Sequence, residues 1–329
     1  MTEGQRSIIV TGGSGFVGAY VARALAQRDC AVHIVDVKEP SAEIQHVLRT
    51  HLPDITFYRC GVDDASQLEK VFRQARPTHV VHAAAIVDPA RLATDPRPAL
   101  DVNVAGTVNV LQTAGLSEVE RLVYVSSIGV LPTVQFEPIT VDHPIVLARE
   151  GPGAGFYGAA KAASEAFCLA AVGGLGVDTR IVRPSAVYGL GMQWPIYIKP
   201  MIERTLQSLP VHFDHGGPFP RDYTHADDVA SLVVALLDAP DDADRVFYAA
   251  TGRPLTTTAE LAEVVTRIVP EARITVADRL SDEDLLERAY RGRLSIRNAT
   301  EQVGWQPYFA DIEDGVRHYI DQYRSFLAG

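Results

Sequence analysis

Hydrophobic and polar positions alternate between two periodicities along the first half of the chain. Continuous runs rich in β-branched residues predict strands, and segments in which apolar residues recur every three or four positions predict helices. Strands are predicted at residues 7–11, 31–36, 55–60, 78–83, 121–126 and 178–182. Helices are predicted at residues 16–27, 41–51, 65–74, 98–113 and 156–172. The alternation indicates a parallel sheet that is covered by helices on both faces.

The pattern changes after residue 183, where proline, glycine and aromatic residues become frequent. A helix at 227–237 and a strand at 246–249 return the chain to the sheet, and a last helix is predicted at 312–326. Between them, shorter elements are predicted at 258–268 and 273–276. We therefore predict a large α/β domain, a smaller α+β domain and a C-terminal helix, formed by residues 1–183 plus 224–252, 184–223 plus 253–311, and 312–329.

The amino-acid composition limits the binding partners and the cellular location that we expect for this protein. The formal net charge of -11 over 329 residues argues against nucleic acid or an anionic membrane as a partner. Cys30, Cys60 and Cys168 are far apart and lack metal-ligand spacing, so we expect three reduced cysteines and no metal site. We also find no signal-peptide pattern and no run of about 20 apolar residues. These features predict a cytoplasmic protein.

A glycine-rich turn joins the first strand to the first helix. Gly12, Gly15 and Gly18 follow each other at intervals of three, a spacing that permits a tight turn, close approach of a pyrophosphate and close packing of helix on strand. The helix N-terminus would face the phosphates with its N–H groups. Asp36 ends the second strand, where a carboxylate can accept hydrogen bonds from the ribose hydroxyls of the cofactor. Its negative charge would repel a 2′-phosphate and therefore favours NAD over NADP. Lys38 is close in the sequence and leaves the use of NADP open. The turn predicts a doubly wound, Rossmann-type dinucleotide domain.

Two acidic residues, Asp63 and Asp64, follow the third strand. One of them could meet the adenine amino group, and either could instead cap the helix that follows. The sequence leaves these two roles open.

A tyrosine and a lysine form the centre of the predicted chemistry. Tyr157 and Lys161 are four residues apart and share one helix face. A phenol has a pKa of about 10, and we expect the ammonium and a positive nicotinamide ring to favour its ionised form. Ser126 and Ser127 end the fifth strand, at the ligand edge of a parallel sheet, where a hydroxyl can hydrogen-bond a substrate oxygen.

With these motifs the sequence resembles the extended short-chain dehydrogenase/reductases, specifically their NAD-dependent epimerase/dehydratase branch. The resemblance extends over nearly the whole chain, with matching segments at residues 11–18, 82–85, 103–107, 157–161, 183–189, 221–230 and 304–307. It implies that Ser127, Tyr157 and Lys161 are catalytic. It implies cofactor contacts from Gly12, Gly15, Phe16, Val17, Asp36, Asp63, Ala83, Ala84, Asn103, Tyr157, Lys161 and Pro184. Substrate contacts are expected from Ser126, Ser127, Arg221 and Arg293.

Several positions depart from the family pattern. The dehydratases of the family carry an Asp-Glu pair after the catalytic hydroxyl residue, whereas this chain has Ile128 and Gly129. Many sugar-nucleotide enzymes have Asn at the position of Ala186 and Pro at that of Leu190, and the loop 191–195 is unusually apolar. These departures leave the identity of the substrate open.

The leading interpretation is an NAD-dependent epimerase that acts on a nucleotide sugar through a transient keto intermediate. One alternative is an NAD-dependent dehydrogenase or reductase of a smaller secondary alcohol, sugar or hydroxy acid, and another is a non-catalytic dinucleotide sensor. The intact Ser127, Tyr157 and Lys161 favour an enzyme. Arg221 is the first candidate for a phosphate clamp, followed by Arg291 or Arg293. The helices after residues 98 and 156 carry surplus apolar surface, and the resemblance implies that they pair in a homodimer.

Overall fold

A parallel sheet of seven strands forms the centre of the computed structural model, which describes residues 6–145, 155–194 and 196–329. Its strands are β1 (Ser7–Thr11), β2 (Ala31–Asp36), β3 (Thr56–Arg59), β4 (His79–His82), β5 (Arg121–Val125), β6 (Asp178–Pro184) and β11 (Val246–Ala249). They lie in the order β11-β6-β5-β4-β1-β2-β3, and each neighbouring pair is parallel. The predicted Rossmann-type sheet is confirmed.

Helices cover both faces of this sheet. One layer consists of α1 (Phe16–Ala26), α2 (Ala42–Leu48) and α8 (Ala226–Leu237), and the other of α3 (Ala65–Ala75), α5 (Gly106–Leu116) and α6 (Phe156–Gly174). On β1, Ile8 and Val10 pack in the first layer, whereas Ile9 between them packs in the second. Each strand position is therefore buried on one side or the other, which explains the continuous apolar runs.

The strand order reverses next to β1, which has β2 on one side and β4 on the other. In open α/β sheets, ligands bind outside the carboxyl ends of the strands at such a switch point. The glycine turn after β1 and the residues after β4 are therefore neighbours at one crevice. The ends of β5 and β6 continue the same edge.

The helix predicted at 98–113 has a more complex course. Its first part, Ala99–Ala105, is a π-helix, and α5 follows it directly. A short helix, α4 (Pro89–Thr94), precedes it and was not predicted. A π-helical turn adds a residue to each hydrogen-bonded ring, and such turns often occur at functional sites. Apolar periodicity alone does not distinguish it from an α-helix.

The remaining elements form the smaller part of the molecule. Its strands are β7 (Ala186–Tyr188), β8 (Val211–Phe213), β9 (Pro220–Arg221), β10 (Tyr223–His225), β12 (Thr256–Thr257) and β13 (Ile274–Val276). Its helices are α7 (Ile198–Leu206), α9 (Thr258–Ile268), α10 (Asp282–Arg288), α11 (Arg297–Val303) and α12 (Ile312–Ala328). The two excursions from the sheet meet, because β8 pairs with β13 and β9 with β12. The exact domain boundaries stay a prediction. None of the helices among the described residues has the length and apolarity to cross a membrane.

Candidate active site

The glycine turn brings β1 into close contact with the segment after β4. Gly12 has a φ of 70°, and a Cβ atom there would lie 2.6 Å from the backbone nitrogen of Ala84. The Ala83 N–H donates a hydrogen bond of 3.1 Å to the Thr11 carbonyl. Glycine is required at position 12 for both conformation and space. The turn and the two alanines therefore form one continuous wall of the crevice.

The N-terminus of α1 lies at this wall. Gly15 caps the helix without a side-chain hydrogen bond, so the N–H groups of its first turn, beginning at Phe16 and Val17, are available to an anion. Asp36 lies beside the turn and accepts a hydrogen bond of 3.1 Å from the Ser14 N–H. The Ser14 hydroxyl is buried and has no hydrogen-bond partner among the described residues. A cradle of N–H groups, a carboxylate and an unpartnered hydroxyl fits a dinucleotide.

The two acidic residues after β3 have different positions. Asp64 caps α3, because its carboxylate accepts a hydrogen bond of 3.0 Å from the Gln67 N–H. Asp63 is exposed and does not cap the helix. The capping role therefore belongs to Asp64, and contact with an adenine stays a prediction for Asp63.

A buried hydrogen-bonded chain connects the glycine turn to the π-helix. The Nδ1 atom of His82 is 2.6 Å from the Thr11 hydroxyl, and its Nε2 atom is 3.0 Å from the Thr107 hydroxyl. The Thr107 hydroxyl itself donates a hydrogen bond of 2.6 Å to the Asn103 carbonyl. His82 therefore donates through Nε2 and accepts through Nδ1. Burial lowers the pKa of His82 to about 3, so the ring is neutral. The Asn103 side chain binds both backbone groups of Ile86, at 2.8 and 2.9 Å. His82 and Thr107 lie in the matched segments 82–85 and 103–107, but the sequence alone indicates no role for either of them.

Lys161 lies beneath the predicted catalytic tyrosine. Its ammonium donates a hydrogen bond of 2.7 Å to the Val125 carbonyl at the end of β5. The nitrogen is 4.7 Å from the ring centroid of Tyr124 and 5.9 Å from that of Tyr157. The structure thus brings the lysine, the tyrosine and the end of β5 together, as the helical spacing predicted.

The two serines at the end of β5 differ in their surroundings. Ser127 accepts a hydrogen bond of 3.0 Å from the Gly129 N–H. A Cβ atom on Gly129 would lie 3.3 Å from the Ser127 hydroxyl and 3.6 Å from the Tyr157 ring, which places these two side chains in one small space. The Ser126 hydroxyl is buried without a hydrogen-bond partner among the described residues. Both hydroxyls lie at the ligand edge of the sheet.

Burial dominates the protonation of the tyrosine and lysine. It raises the pKa of Tyr157 to about 12, although a hydrogen bond with Ser127 acts in the opposite direction. It lowers the pKa of Lys161 to about 8. The helical spacing predicts that the ammonium helps to ionise the phenol, but the effect of burial on the pKa of Tyr157 is larger than any such help from the chain's own residues.

Arg221, which ends β9, has a second arginine as its neighbour. One carboxylate oxygen of Glu287 lies 2.8 Å from the Arg291 guanidinium and 3.7 Å from that of Arg221. Both guanidiniums lie near the ring of Phe219, with the guanidinium carbons 4.7 Å (Arg221) and 5.9 Å (Arg291) from its centroid. The Nε atom of each arginine is buried and has no hydrogen-bond partner among the described residues. Two guanidiniums thus share a single carboxylate.

Arg293 does not join this pair. Its side chain is exposed, and its backbone binds the segment after β5, where the Arg293 carbonyl accepts from the Ile139 N–H at 2.8 Å. Of the two second candidates for the clamp, the structure therefore brings Arg291 and not Arg293 beside Arg221. Arg291 and Arg293 are almost equally far from Arg221 in the sequence, so the sequence alone could not show which of them lies beside it.

A buried carboxylate fixes the strand that carries Arg221. Asp222 accepts hydrogen bonds from the hydroxyls of Ser185, Thr224 and Thr251, at 2.8, 2.9 and 2.8 Å. Ser185 directly follows Pro184, the buried last residue of β6. The network ties the end of β6 to β9 and β10, so Asp222 positions Arg221 relative to the sheet.

The apolar segment after β7 is largely part of the core. Leu190 and Met192 are buried and pack in the same cluster as α1 and α2, whereas Trp194 is half exposed. Pro195, the last residue of the predicted apolar loop, lies outside the described residues. Packing explains the apolarity of residues 190 and 192.

One further cluster has metal-binding side chains. His225, Asp227 and His318 have potential ligand atoms within 4.8 Å of one another. The Arg23 guanidinium already pairs with Asp227, and His225 Nδ1 accepts a hydrogen bond of 3.1 Å from the Asp227 N–H. His318 Nε2 lies 3.1 Å from the Asp227 carboxylate, so these contacts join α1, α8 and α12, and the Asp227 carboxylate is already paired with Arg23 and His318.

Together these features define a class. A dinucleotide cradle at the switch point and a Tyr/Lys pair at the neighbouring strand end are the site of a dinucleotide-dependent oxidoreductase. The chain belongs to the NAD dependent epimerase/dehydratase family, whose model matches residues 8–249. The predicted family, the use of NAD and the assignment as an enzyme of epimerase or dehydrogenase type are thereby confirmed.

Characterised relatives match over almost the full chain. The UDP-glucose 4-epimerase of Mycolicibacterium smegmatis is 28% identical over 96% of this chain and 98% of its own. The dTDP-glucose 4,6-dehydratase of an Actinoplanes species is also 28% identical, over 97% and 98%. An uncharacterized protein of Sinorhizobium fredii is 29% identical over 70% of this chain. That match covers 53% of the Sinorhizobium protein.

Solved structures agree with these relatives. The UDP-glucose 4-epimerase of Thermotoga maritima with UDP-glucose has a TM-score of 0.83 and 25% identity, over 97% of this chain and 99% of its own. The UDP-glucose 4-epimerase of Thermus thermophilus in complex with NAD has a TM-score of 0.79 and 26% identity, over 96% and 98%.

Proposed function

We propose that this protein is an NAD-dependent epimerase of a nucleoside-diphosphate sugar. The observation that carries the substrate class is the pair formed by Arg221 and Arg291. The Thermotoga and Thermus structures with which the chain aligns are both UDP-glucose 4-epimerases, and the first contains UDP-glucose.

The arginine pair suits a diphosphate by charge and by geometry. Arg221 and Arg291 carry two positive charges against the single charge of Glu287, in a protein whose overall formal charge is -11. Guanidinium groups bind phosphate oxygens through paired, charge-assisted hydrogen bonds. Each arginine also has a buried Nε without a partner among the described residues, and a ligand oxygen would satisfy it.

The catalytic roles follow from the positions of three side chains. NAD, when bound, supplies the acceptor and donor of hydride. Tyr157 takes the proton from the substrate hydroxyl and later returns it, and oxidised NAD, when bound, would supply a positive charge that favours the ionised phenol. Lys161 holds its ammonium beneath the tyrosine, and Ser127 hydrogen-bonds the substrate oxygen as its charge changes.

The residues after Ser127 favour epimerisation over dehydration. Elimination of water requires one group that removes a proton from carbon and another that protonates the leaving hydroxyl. Ile128 and Gly129 occupy these positions in a short 3₁₀ turn, and neither side chain can transfer a proton. One characterised relative is a dTDP-glucose 4,6-dehydratase, but the acid/base pair that the family resemblance implies for dehydratases is replaced here by Ile128 and Gly129.

The structure also weakens the case for a small alcohol as substrate. That alternative required the apolar segment 191–195 to form a compact substrate pocket. Within that segment Met192 instead packs in the main core, whereas Trp194 is half exposed. An uncharged alcohol or sugar would leave the arginine pair without a charged ligand, whereas a hydroxy acid has a carboxylate that could pair with it, so the substrate panel below includes sugar acids.

A homodimer is part of the proposal. Phe156 and Phe167 of α6 are 50% and 47% exposed, and Leu100 of the adjoining π-helix is 52% exposed. Phe156 and Phe167 are eleven residues apart, close to three helical turns of about 3.6 residues, and share one face. Exposed apolar side chains on neighbouring helices are typical of a subunit interface.

A substrate panel tests the proposed activity. UDP-, GDP- and dTDP-sugars are incubated with the NAD-loaded enzyme beside simple sugars, sugar acids and hydroxy ketones, and both epimer formation and absorbance at 340 nm are followed. We expect epimer formation from a nucleotide sugar without net NADH. Turnover of only the non-nucleotide compounds would refute the proposal.

A pair of variants tests the substrate clamp. Arg221→Ala removes a charged hydrogen-bond partner of the diphosphate. We expect it to weaken transition-state binding of the nucleotide sugar by about 2–4 kcal/mol, measured as a fall in kcat/KM, without changing NAD affinity. Arg288→Ala, exposed on α10, removes the same charge and serves as the control. Equal kinetics of the two variants would show that Arg221 does not bind the diphosphate.

A further inference from the structure

Resting on the proposed function, we propose that Glu287 is a built-in counter-anion. It competes with the substrate's diphosphate for Arg221 and Arg291 and thereby weakens the binding of every nucleoside diphosphate at this site. The carboxylate would thus help substrate and product to leave, instead of contributing to their recognition.

The position of Glu287 is fixed by an anchored helix. Glu287 lies in the last turn of α10, whose first turn is closed by reciprocal hydrogen bonds between Ser281 and Asp284. His215 binds the same Asp284 carboxylate at 2.6 Å. The contact with His215 holds the first turn of α10 against the segment that follows β8. The helix therefore presents the Glu287 carboxylate to the arginines in a defined place.

One oxygen of this carboxylate serves both arginines. Glu287 Oε2 lies 2.8 Å from Arg291 Nη2 and 3.7 Å from Arg221 Nη2. Both guanidiniums are largely buried, with side chains 15% (Arg221) and 13% (Arg291) exposed. Glu287 is more accessible, at 27%. An anion that approaches the guanidiniums therefore comes close to the Glu287 carboxylate.

The charges of this group set the direction of the effect. Two guanidiniums and one carboxylate leave one positive charge. Tyr197 and Tyr223 are close enough to interact with Arg221, and burial raises the pKa of each to about 12, so both are neutral. A diphosphate bound at the arginines would meet the like charge of Glu287 at short range. Without a ligand, the same carboxylate offsets the repulsion between the two arginines.

Neutralising Glu287 should therefore have opposite effects on the ligand-free and the ligand-bound protein. Glu287→Gln keeps the side-chain length and a hydrogen-bond acceptor for Arg291 but removes the charge. The free protein should become less stable, because two buried guanidiniums lose their counter-charge. Binding of an anion should become tighter, because it no longer meets a carboxylate.

The test measures binding of two probes, UDP and inorganic pyrophosphate, to the NAD-loaded full-length protein by titration calorimetry. We expect Glu287→Gln to lower the Kd of both by about three- to tenfold, the range for a partly exposed charge pair. Glu283→Gln removes an exposed carboxylate from the same helix and should leave both Kd values unchanged. The ligand-free Tm of Glu287→Gln should fall while its rise on adding UDP becomes larger.

The sign of the change in affinity decides the matter. An unchanged or higher Kd for UDP in Glu287→Gln would overturn the proposal, because a residue that merely orients the arginines would weaken binding when altered. If this variant does not fold, Glu287→Asp, which draws the charge back by one methylene, should lower the Kd by about twofold. The proposed function is tested separately by the substrate panel: if a nucleotide sugar is epimerised and Arg221→Ala loses UDP binding, that function stands whatever Glu287 does.

Discussion

Replacing the buried lysine should make the protein more stable and inactive at the same time. Lys161 is 2% exposed, and burial lowers its pKa from 10.5 to about 8. A shift of about 2.5 units corresponds to roughly 3 kcal/mol of destabilisation of the charged form in the folded state. Lys161→Met removes that cost and loses one hydrogen bond, to the Val125 carbonyl, worth about 1 kcal/mol. The expected net gain at pH 7 is about 2 kcal/mol.

The pH dependence has a definite sign. Below pH 8 both the folded and the unfolded chain carry the Lys161 proton, so the full cost is present. Between about pH 8 and 10.5 the unfolded chain holds a proton that the folded chain has lost. Stability from this group therefore rises with pH, by about 1.4 kcal/mol per unit. The advantage of Lys161→Met should shrink over this interval, disappear at about pH 9.5 and become a small disadvantage at its upper end, where only the lost hydrogen bond remains.

Urea unfolding at pH 7, 8, 9 and 10 measures this difference, with activity assayed in parallel. Lys70→Met, which removes an exposed ammonium from α3, is the matched control and should show a constant, small difference from the native protein. If Lys161→Met were less stable than the native protein at pH 7, or if its difference did not change up to pH 10, burial would not be the main influence on this lysine.

Three further outcomes are expected. Tyr157→Phe should lower turnover by at least ~10² while NAD still binds, as followed by steady-state kinetics and fluorescence titration, and near-native turnover would contradict the proposed acid/base role. Asp36→Ala should bring the Kd values of NAD and NADP closer together, because the native carboxylate repels a 2′-phosphate, and equal affinity of the native protein for both would rule this out. Phe167→Asp should convert a homodimer to monomers in light scattering at micromolar concentration, whereas a native protein that is already monomeric would refute the proposed interface.

The sheet and its ligand edge could be predicted from the sequence because their signals are local. β1, β2 and β11 begin and end at the predicted residues, since each is a short run of β-branched or aromatic residues. The Tyr157/Lys161 pair needed only helical spacing. The location of Asp36 followed from the end of β2. Each of these features depends on neighbours within a few positions along the chain.

The features that were not predicted depend on contacts between distant segments. Glu287, the carboxylate beside Arg221, is 66 residues away in the sequence, and the choice between Arg291 and Arg293 depends on which of them shares this carboxylate. The tautomer of His82 follows from Thr107, which no local pattern connects to β4. The raised pKa of Tyr157 depends on burial, which spacing does not report. The domain boundaries, the homodimer and the cytoplasmic location remain predictions.

Hydrogen-bond satisfaction separates the residues that hold the site from those that await a ligand. Asp222 and His82 are buried with their polar atoms paired, so they position neighbouring segments. The hydroxyl of Ser126 and the Nε of Arg221 are buried without partners among the described residues, which is costly unless a ligand pairs with them. A missing partner alone is not sufficient, because Arg180, at the amino end of β6, also has an unpaired Nε. Its Nη2 donates to the carbonyls of residues 240 and 241, and its Nη1 pairs with Asp178. Ser126 differs from Arg180 because it lies at the carboxyl end of β5. Arg221 differs from Arg180 because a second guanidinium lies beside it. Position in the fold and an unmet hydrogen-bonding capacity together are the grounds on which we propose Ser126 and Arg221 as substrate contacts.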